Sequence, residues 1–290
     1  MILTYSIDNI KLISLKDHVD QQLNSYKKKA IEIAIQQSTG ELIVTTDADC
    51  IVSEEWLHAI ASFYEKYQPA FIAAPVVYLK TNNSFLSIFQ SLDFMTLQGI
   101  TGASVYKKIH CMCNGANLAY TKKVFYEVNG FTGIDNIASG DDMLLMHKIY
   151  KRYPEKVLFL KSKEAIVKTK PMESLKDFFN QRIRWASKAD KYEDKRIFTV
   201  LFFVYIFNVW FICLLILGIW NFSYWVLLIE LSAAKTVIEL FFLSPVADFF
   251  SNKKLLWRFP IAQPFHIIYT VIAGWLGKFG TYKWKERSVQ

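Results

Sequence analysis

The sequence has little with which to build a disulfide framework or a cysteine–histidine metal cluster. Four cysteines and five histidines occur in 290 residues. Cys50, Cys111, Cys113 and Cys213 follow no zinc-ligand spacing, and Cys213 lies inside a long apolar run. The histidines form no cluster, and the chain has no internal repeat and no low-complexity stretch. Met1 to Lys16 lacks the basic start and apolar stretch of a signal peptide. From Ile197 to Ile229 there is no charged residue at all. That run exceeds the ~20 residues a bilayer crossing needs, and it argues against an ordinary soluble chain. A hydrophobic content of 52%, with aromatic residues making up 16% of the chain, points the same way.

The net charge of +8 carries no nucleic-acid motif with it, so nucleic acid is not an expected partner. Its placement is informative. Arg182, Arg184, Lys188, Lys191, Lys195 and Arg196 crowd against the start of the apolar run, the positive-inside pattern. The expectation is a cytosolic globular domain over 1–190 and a membrane region over 191–290, multi-pass in the cell (inner) membrane, with membrane lipids as partners. The candidate segments are 198–220, 224–243 and 260–279, each spanning or re-entrant. The second contains Glu230, Lys235 and Glu239, which are costly in a bilayer unless they pair or face protein.

Within the globular part, Leu42-Ile43-Val44-Thr45-Thr46 is short, β-branched and uncharged, as expected of a strand buried on both faces of a parallel sheet. It ends in Asp47-Ala48-Asp49, where two carboxylates can share a divalent cation. The same residues also suit a plain turn. Around it, Ile10–Leu15 reads as a strand. Lys27–Gln37 reads as a helix with Ala30, Ile31, Ala34 and Ile35 inside. The residues from Ser53 to Tyr67 suit a helix, Ala70–Tyr78 a strand, Ser84–Ile100 a helix and Cys111–Tyr120 a strand. Asp141–Tyr153 reads as a helix ended by Pro154, with Leu144, Leu145 and Ile149 inside. Ser174–Ala189 reads as an amphipathic helix whose start signal is Ser174 with Asp177. Gln181, Arg184 and Trp185 are neighbours on one of its faces. The alternation is that of an α/β domain.

Four signals therefore stand in order: Asp47-Ala48-Asp49, Gly115-Ala116-Asn117, Ser139-Gly140-Asp141-Asp142 and Gln181-Arg182-Ile183-Arg184-Trp185, followed by the apolar block. This order resembles the family 2 glycosyltransferases, in particular the membrane-embedded cellulose, hyaluronan and poly-N-acetylglucosamine synthases. The resemblance runs from about Lys27 to the C-terminus. It implies a GT-A (Rossmann-like) nucleotide-sugar domain followed by transmembrane helices. The implied reaction is inverting sugar transfer from a nucleotide sugar, a UDP-sugar foremost, to a glycan or lipid-linked acceptor.

The resemblance also implies roles. Asp49 with Asp47 holds Mg²⁺ or Mn²⁺, which neutralises the leaving diphosphate. Lys27 adds charge near the phosphates, and Asp142 is the general base with Asp141 beside it. Gln181, Arg184 and Trp185 lie by the acceptor and diphosphate, Arg182 points elsewhere towards lipid head groups or phosphate, and Gly115 and Asn117 border a sugar. Each residue has a plainer reading too. The aspartates favour a helix start, Lys27–Lys29 makes a solvated helix end, and Trp185 suits a membrane interface. Members of the family begin with a base-recognising strand that would lie upstream of Met1, so the domain is expected to lack its first strands. Two other functions stand beside the first: single-sugar transfer to a lipid carrier, and a truncated, non-catalytic membrane subunit bound to a partner synthase.

Overall fold

The computed structural model describes residues 10–18, 25–79, 82–109, 112–135, 137, 140–188, 195–280, 282–284 and 287–289. Cys111, Ser139 and Lys191 lie outside the described residues. The architecture is mixed α/β, with a helical block at the C-terminal end.

A short 3-10 turn, Leu15–His18, comes first. The expected strand over Ile10–Leu15 is not formed, and Ile10 and Leu12 are exposed, with no sheet to bury them. Helix α1 (Tyr26–Gln37) leads to strand β1 (Leu42–Thr45), then α2 (Trp56–Tyr67), β2 (Phe71–Ala73) and β3 (Val76–Tyr78). Helix α1 buries Lys28, Ile33 and Ile35 and leaves Ala30 and Ala34 exposed, so its inner face differs from the expected one. The single strand expected over Ala70–Tyr78 is divided at Pro75, which has no N–H to offer a ladder. Helix α3 (Phe85–Tyr106) outruns its expected end. Strand β4 (Leu118–Thr121) is much shorter than the one expected from Cys111, and Cys113 lies in the loop before it. Then follow α4 (Lys122–Glu127), α5 (Asp141–Arg152), β5 (Val157–Phe159), β6 (Val167–Thr169) and α6 (Leu175–Ala186).

The main sheet has the order β1-β4-β2-β5. Strand β4 runs antiparallel to both β1 and β2, while β2 and β5 are parallel. The sheet is thus mixed. Strand β1 is at its edge among the described residues and is only partly buried, contrary to the expectation of a strand covered on both faces. A second, two-stranded sheet pairs β3 with β6 in parallel. Ile51, just past the Asp47-Ala48-Asp49 turn, bridges to Lys168 of β6 and pins that turn against the second sheet.

One core lies where α4 and α5 pack on the sheet around Phe71, Tyr120, Phe125, Leu145 and Ile149. A second joins Ile60, Ile72, Val76, Phe94 and Val167. The third joins α3 and α6 to the C-terminal helices through Phe89, Phe178, Leu243 and Tyr269. Those helices are α7 (Lys195–Leu217), α8 (Ser223–Phe249) and α9 (Phe259–Phe279). A hairpin of β7 (Tyr282–Trp284) and β8 (Arg287–Val289) follows. Among the described residues, Lys195–Leu217 and Lys253–Phe279 are long and apolar enough to cross a membrane. Helix α8 is not among them, and it carries Glu230, Lys235, Glu239 and Asp248. Lys235 is paired, its Nζ 2.8 Å from Glu239 and 2.6 Å from Gln263 Oε1 of α9, and Gln263 Nε2 donates to Glu239.

Asn117 locks the two sheets together. It is 0% exposed. Its Nδ2 donates to Pro75 O at 2.8 Å and Ala165 O at 2.7 Å, and its Oδ1 accepts from Trp56 Nε1 at 3.1 Å. This side chain serves the fold rather than a sugar, which corrects its expected role. Pro75 O keeps its bond from Val167 N, but Asn117→Ala takes the partner from Ala165 O and Trp56 Nε1 and is expected to lower stability by about 2 kcal/mol or more. Thermal unfolding followed by tryptophan fluorescence checks this, and an unchanged midpoint contradicts it.

Candidate active site

Strand β1 delivers Asp47 and Asp49 to its C-terminal end, and the start of α5 delivers Asp141 and Asp142 to the same place. Lys27, from the first turn of α1, joins them. Its Nζ is 2.8 Å from Asp47 Oδ1 and 3.2 Å from Asp141 Oδ2. Burial alone would lower the Lys27 pKa, but Asp141 and Asp47 outweigh it and the pKa is raised. Lys27 is therefore a fixed cation between two acidic elements.

Gly140 permits the turn into α5, with φ at 80°, in the left-handed region that glycine tolerates. Asp141 is largely buried, with a side chain 14% exposed. Burial and the neighbouring Asp142 push its pKa up, and Lys27 opposes them. Asp142 is aimed by two backbone donors. Its Oδ1 accepts from Met143 N at 2.8 Å, and its Oδ2 accepts from Gly115 N at 2.9 Å. Glycine suits this approach, because a Cβ there would sit 3.3 Å from both Asp142 Oδ2 and Lys27 Nζ, tighter than an ordinary contact. Gly115 thus belongs to the site through its backbone.

Asp49 is exposed on the turn, and Asp47 is half-buried. Among the described residues no group of three or more His, Cys, Asp or Glu side chains could hold a metal ion. The two carboxylates offer hard oxygen ligands that suit Mg²⁺ or Mn²⁺. An ion held there would complete its shell with oxygens of water or a bound phosphate.

The third element is α6, whose first turn is capped by Ser174 Oγ accepting from Asp177 N at 3.1 Å. Gln181, Arg184 and Trp185 are all partly buried. Gln181 Oε1 accepts from Tyr78 OH and from Arg182 Nη1, each at 3.3 Å. Arg182 does not reach out to lipid or phosphate as expected. Its side chain is 3% exposed and its Nη2 lies 2.7 Å from Asp93 Oδ2 of α3. A buried carboxylate holds it inward.

Lys188, which the motif pattern does not single out, lies beside the turn into α5. Its Cδ is 3.7 Å from the position of a Cβ on Gly140. Burial lowers its pKa, Arg184 and Lys27 add to the lowering, and Asp142 and Asp141 oppose it. The available signal was its spacing, four residues past Arg184 and three past Trp185. Lys28, one residue after Lys27, is 2% exposed, and its Nζ donates to Ile134 O and Ile137 O at 2.6 Å each. It anchors the loop that precedes the Gly140-Asp141-Asp142 turn.

The family model for glycosyl transferase family group 2 matches residues 42–276. The chain belongs to that family. Among solved structures it is similar to S. aureus TarS 1-349, at 15% identity and a TM-score of 0.36, covering 91% of this chain and 75% of that one. The same TarS fragment in complex with UDP-GlcNAc gives 14% identity and a TM-score of 0.37, covering 94% and 78%. A comparison with curated proteins returns no match.

Lys28 supplies a test of how tightly this region is packed. Burial pulls its pKa from 10.5 down to about 8, with Lys188 adding to the effect. Between those two values the unfolded chain holds a proton that the folded chain has shed, so this residue makes stability rise with pH across that window. Thermal midpoints across the window are expected to climb more steeply for the wild type than for Lys28→Met. Parallel profiles contradict the assignment.

Proposed function

We propose that this protein transfers a sugar from a nucleoside diphosphate, UDP foremost, to a glycan or lipid-linked acceptor with inversion at the anomeric carbon. The observation that carries this reading is the convergence of Asp47, Lys27, Asp141, Asp142 and the Gly115 backbone at one end of the sheet. Family membership supports it.

Asp49 and Asp47 would hold Mg²⁺ or Mn²⁺ against the diphosphate, where the ion supplies charge neutralisation for the leaving group. Lys27, Arg184 and Lys188 add positive charge around the same phosphates, and the Arg184 guanidinium is suited to paired phosphate oxygens. Asp142 accepts the proton of the acceptor hydroxyl as its oxygen attacks the anomeric carbon and the bond to the diphosphate oxygen breaks. Two backbone N–H groups keep its carboxylate aimed. A single displacement with one base and no covalent intermediate inverts the configuration. Gln181 and the indole of Trp185 would receive the acceptor, since a sugar ring can lie against an aromatic face.

The proposed setting is the cytoplasmic face of the cell membrane. Helix α7 supports a lipid contact, since Phe198, Phe202, Phe203, Phe207 and Trp210 are exposed along it. Glycan extension is favoured over single-sugar transfer by the resemblance of the Gln181–Trp185 motif to that of the polysaccharide synthases.

The test is transfer of radiolabelled sugar from UDP-sugars by the purified protein with Mn²⁺ or Mg²⁺. Asp142→Asn is expected to lower turnover by roughly 10²–10⁴-fold, the range for losing a general base. Turnover in that variant equal to the wild type sinks the assignment.

A further inference from the structure

The helix bearing Gln181, Arg182, Arg184 and Trp185 is oriented from outside its own motif. Asp93 sits in the middle of α3 with a side chain 4% exposed. Its Oδ2 holds Arg182 Nη2 at 2.7 Å, and its Oδ1 accepts from Tyr269 OH of α9 at 2.6 Å. His266 Nε2, also of α9, stands 4.0 Å from the same oxygen. One carboxylate therefore joins three helices.

Arg182 passes this placement on. Its guanidinium lies over the Trp185 ring at 4.2 Å and the Phe178 ring at 4.9 Å, and its Nη1 donates to Gln181 Oε1. The indole of Trp185 is further braced by Phe94, the residue after Asp93, with ring centroids 6.3 Å apart. Arginine is suited to this because its planar fork fixes donors and stacks on aromatic faces at once. Stability alone does not require such a pair, since apolar residues of similar volume often replace a buried ion pair without loss. What an apolar pair cannot supply is the direction of the guanidinium, and with it the settings of Gln181 and Trp185.

We propose that Asp93 is a positioning residue for sugar transfer. It acts through Arg182 to set the Gln181 amide and the Trp185 indole, and through Tyr269 it ties that setting to α9. The inference rests on the reading above that Gln181 and Trp185 face the acceptor. Asp93 itself touches no substrate.

The experiment uses the full chain in lipid nanodiscs, comparing wild type, Asp93→Asn, the pair Asp93→Leu/Arg182→Met, and Asp142→Asn. Asp93→Asn is expected to leave UDP affinity unchanged and to speed amide exchange over 175–186. Its turnover should fall on the order of tenfold to a hundredfold, the scale of a misplaced substrate contact. The double variant is expected to have a higher thermal midpoint than Asp93→Asn, which leaves the Arg182 charge buried without its partner, while turnover stays low. Recovery of turnover together with stability in the double variant overturns the proposal, because the pair would then be structural only. Exchange over 175–186 that is unchanged in Asp93→Asn also overturns it. Unchanged exchange counts against this inference whether or not sugar is transferred, whereas a wild type that turns over no UDP-sugar counts against the proposed function.

Discussion

The site depends on one cation. Lys27 holds Asp47 and Asp141, which arrive from a strand end and a helix start that would otherwise repel each other. Without that charge, a half-buried aspartate and a largely buried one would share a small volume with Asp142 alongside, and ionising all three would be costly. Lys28, the next residue, is tied to the loop that leads into Asp141. Two adjacent lysines thus set the distance between the two acidic elements. The sheet supplies the other half of the constraint, since Gly115 precedes β4 and β4 is paired directly with β1.

Helix α3 is the second organising element. It is buried along much of its length yet carries polar residues whose bonds run outward to the surrounding chain. Gln90 exchanges two hydrogen bonds with the backbone of Met172, just before α6. Gln98 accepts from Val76 N at the start of β3. Asp93 takes Arg182 and Tyr269. Each of these satisfies a group that would be expensive to leave unpaired in an apolar setting. The α/β domain and the apolar helices therefore share a core, in which α9 and α6 pack directly against each other.

Much of this was legible in the residues. The apolar run ending in Asp47, the helix opened by Gly140-Asp141-Asp142 and the Ser174 cap all appear where local pattern placed them, because strand ends and helix starts are set by nearby residues. The failures involve distant partners. Arg182 read as outward-facing because Asp93 lies 89 residues before it. Asn117 read as a ligand contact because its carbonyl partners belong to Pro75 and Ala165. An apolar run such as 42–46 cannot by itself tell an edge strand from a central one. The division of 70–78 was available locally, since Pro75 cannot donate to a ladder. Lys188 was also within reach, given its helical spacing from Arg184 and Trp185.

The central claim is that the turn after β1 binds a divalent ion together with a nucleoside diphosphate. Two carboxylates alone would make a weak site, which phosphate oxygens would complete. Mn²⁺ binding followed by electron paramagnetic resonance, with and without UDP, tests this most directly. The account predicts that UDP strengthens Mn²⁺ binding in the wild type and fails to do so in Asp47→Asn/Asp49→Asn. Mn²⁺ binding that is indifferent to UDP, or equal in the double variant, would contradict it.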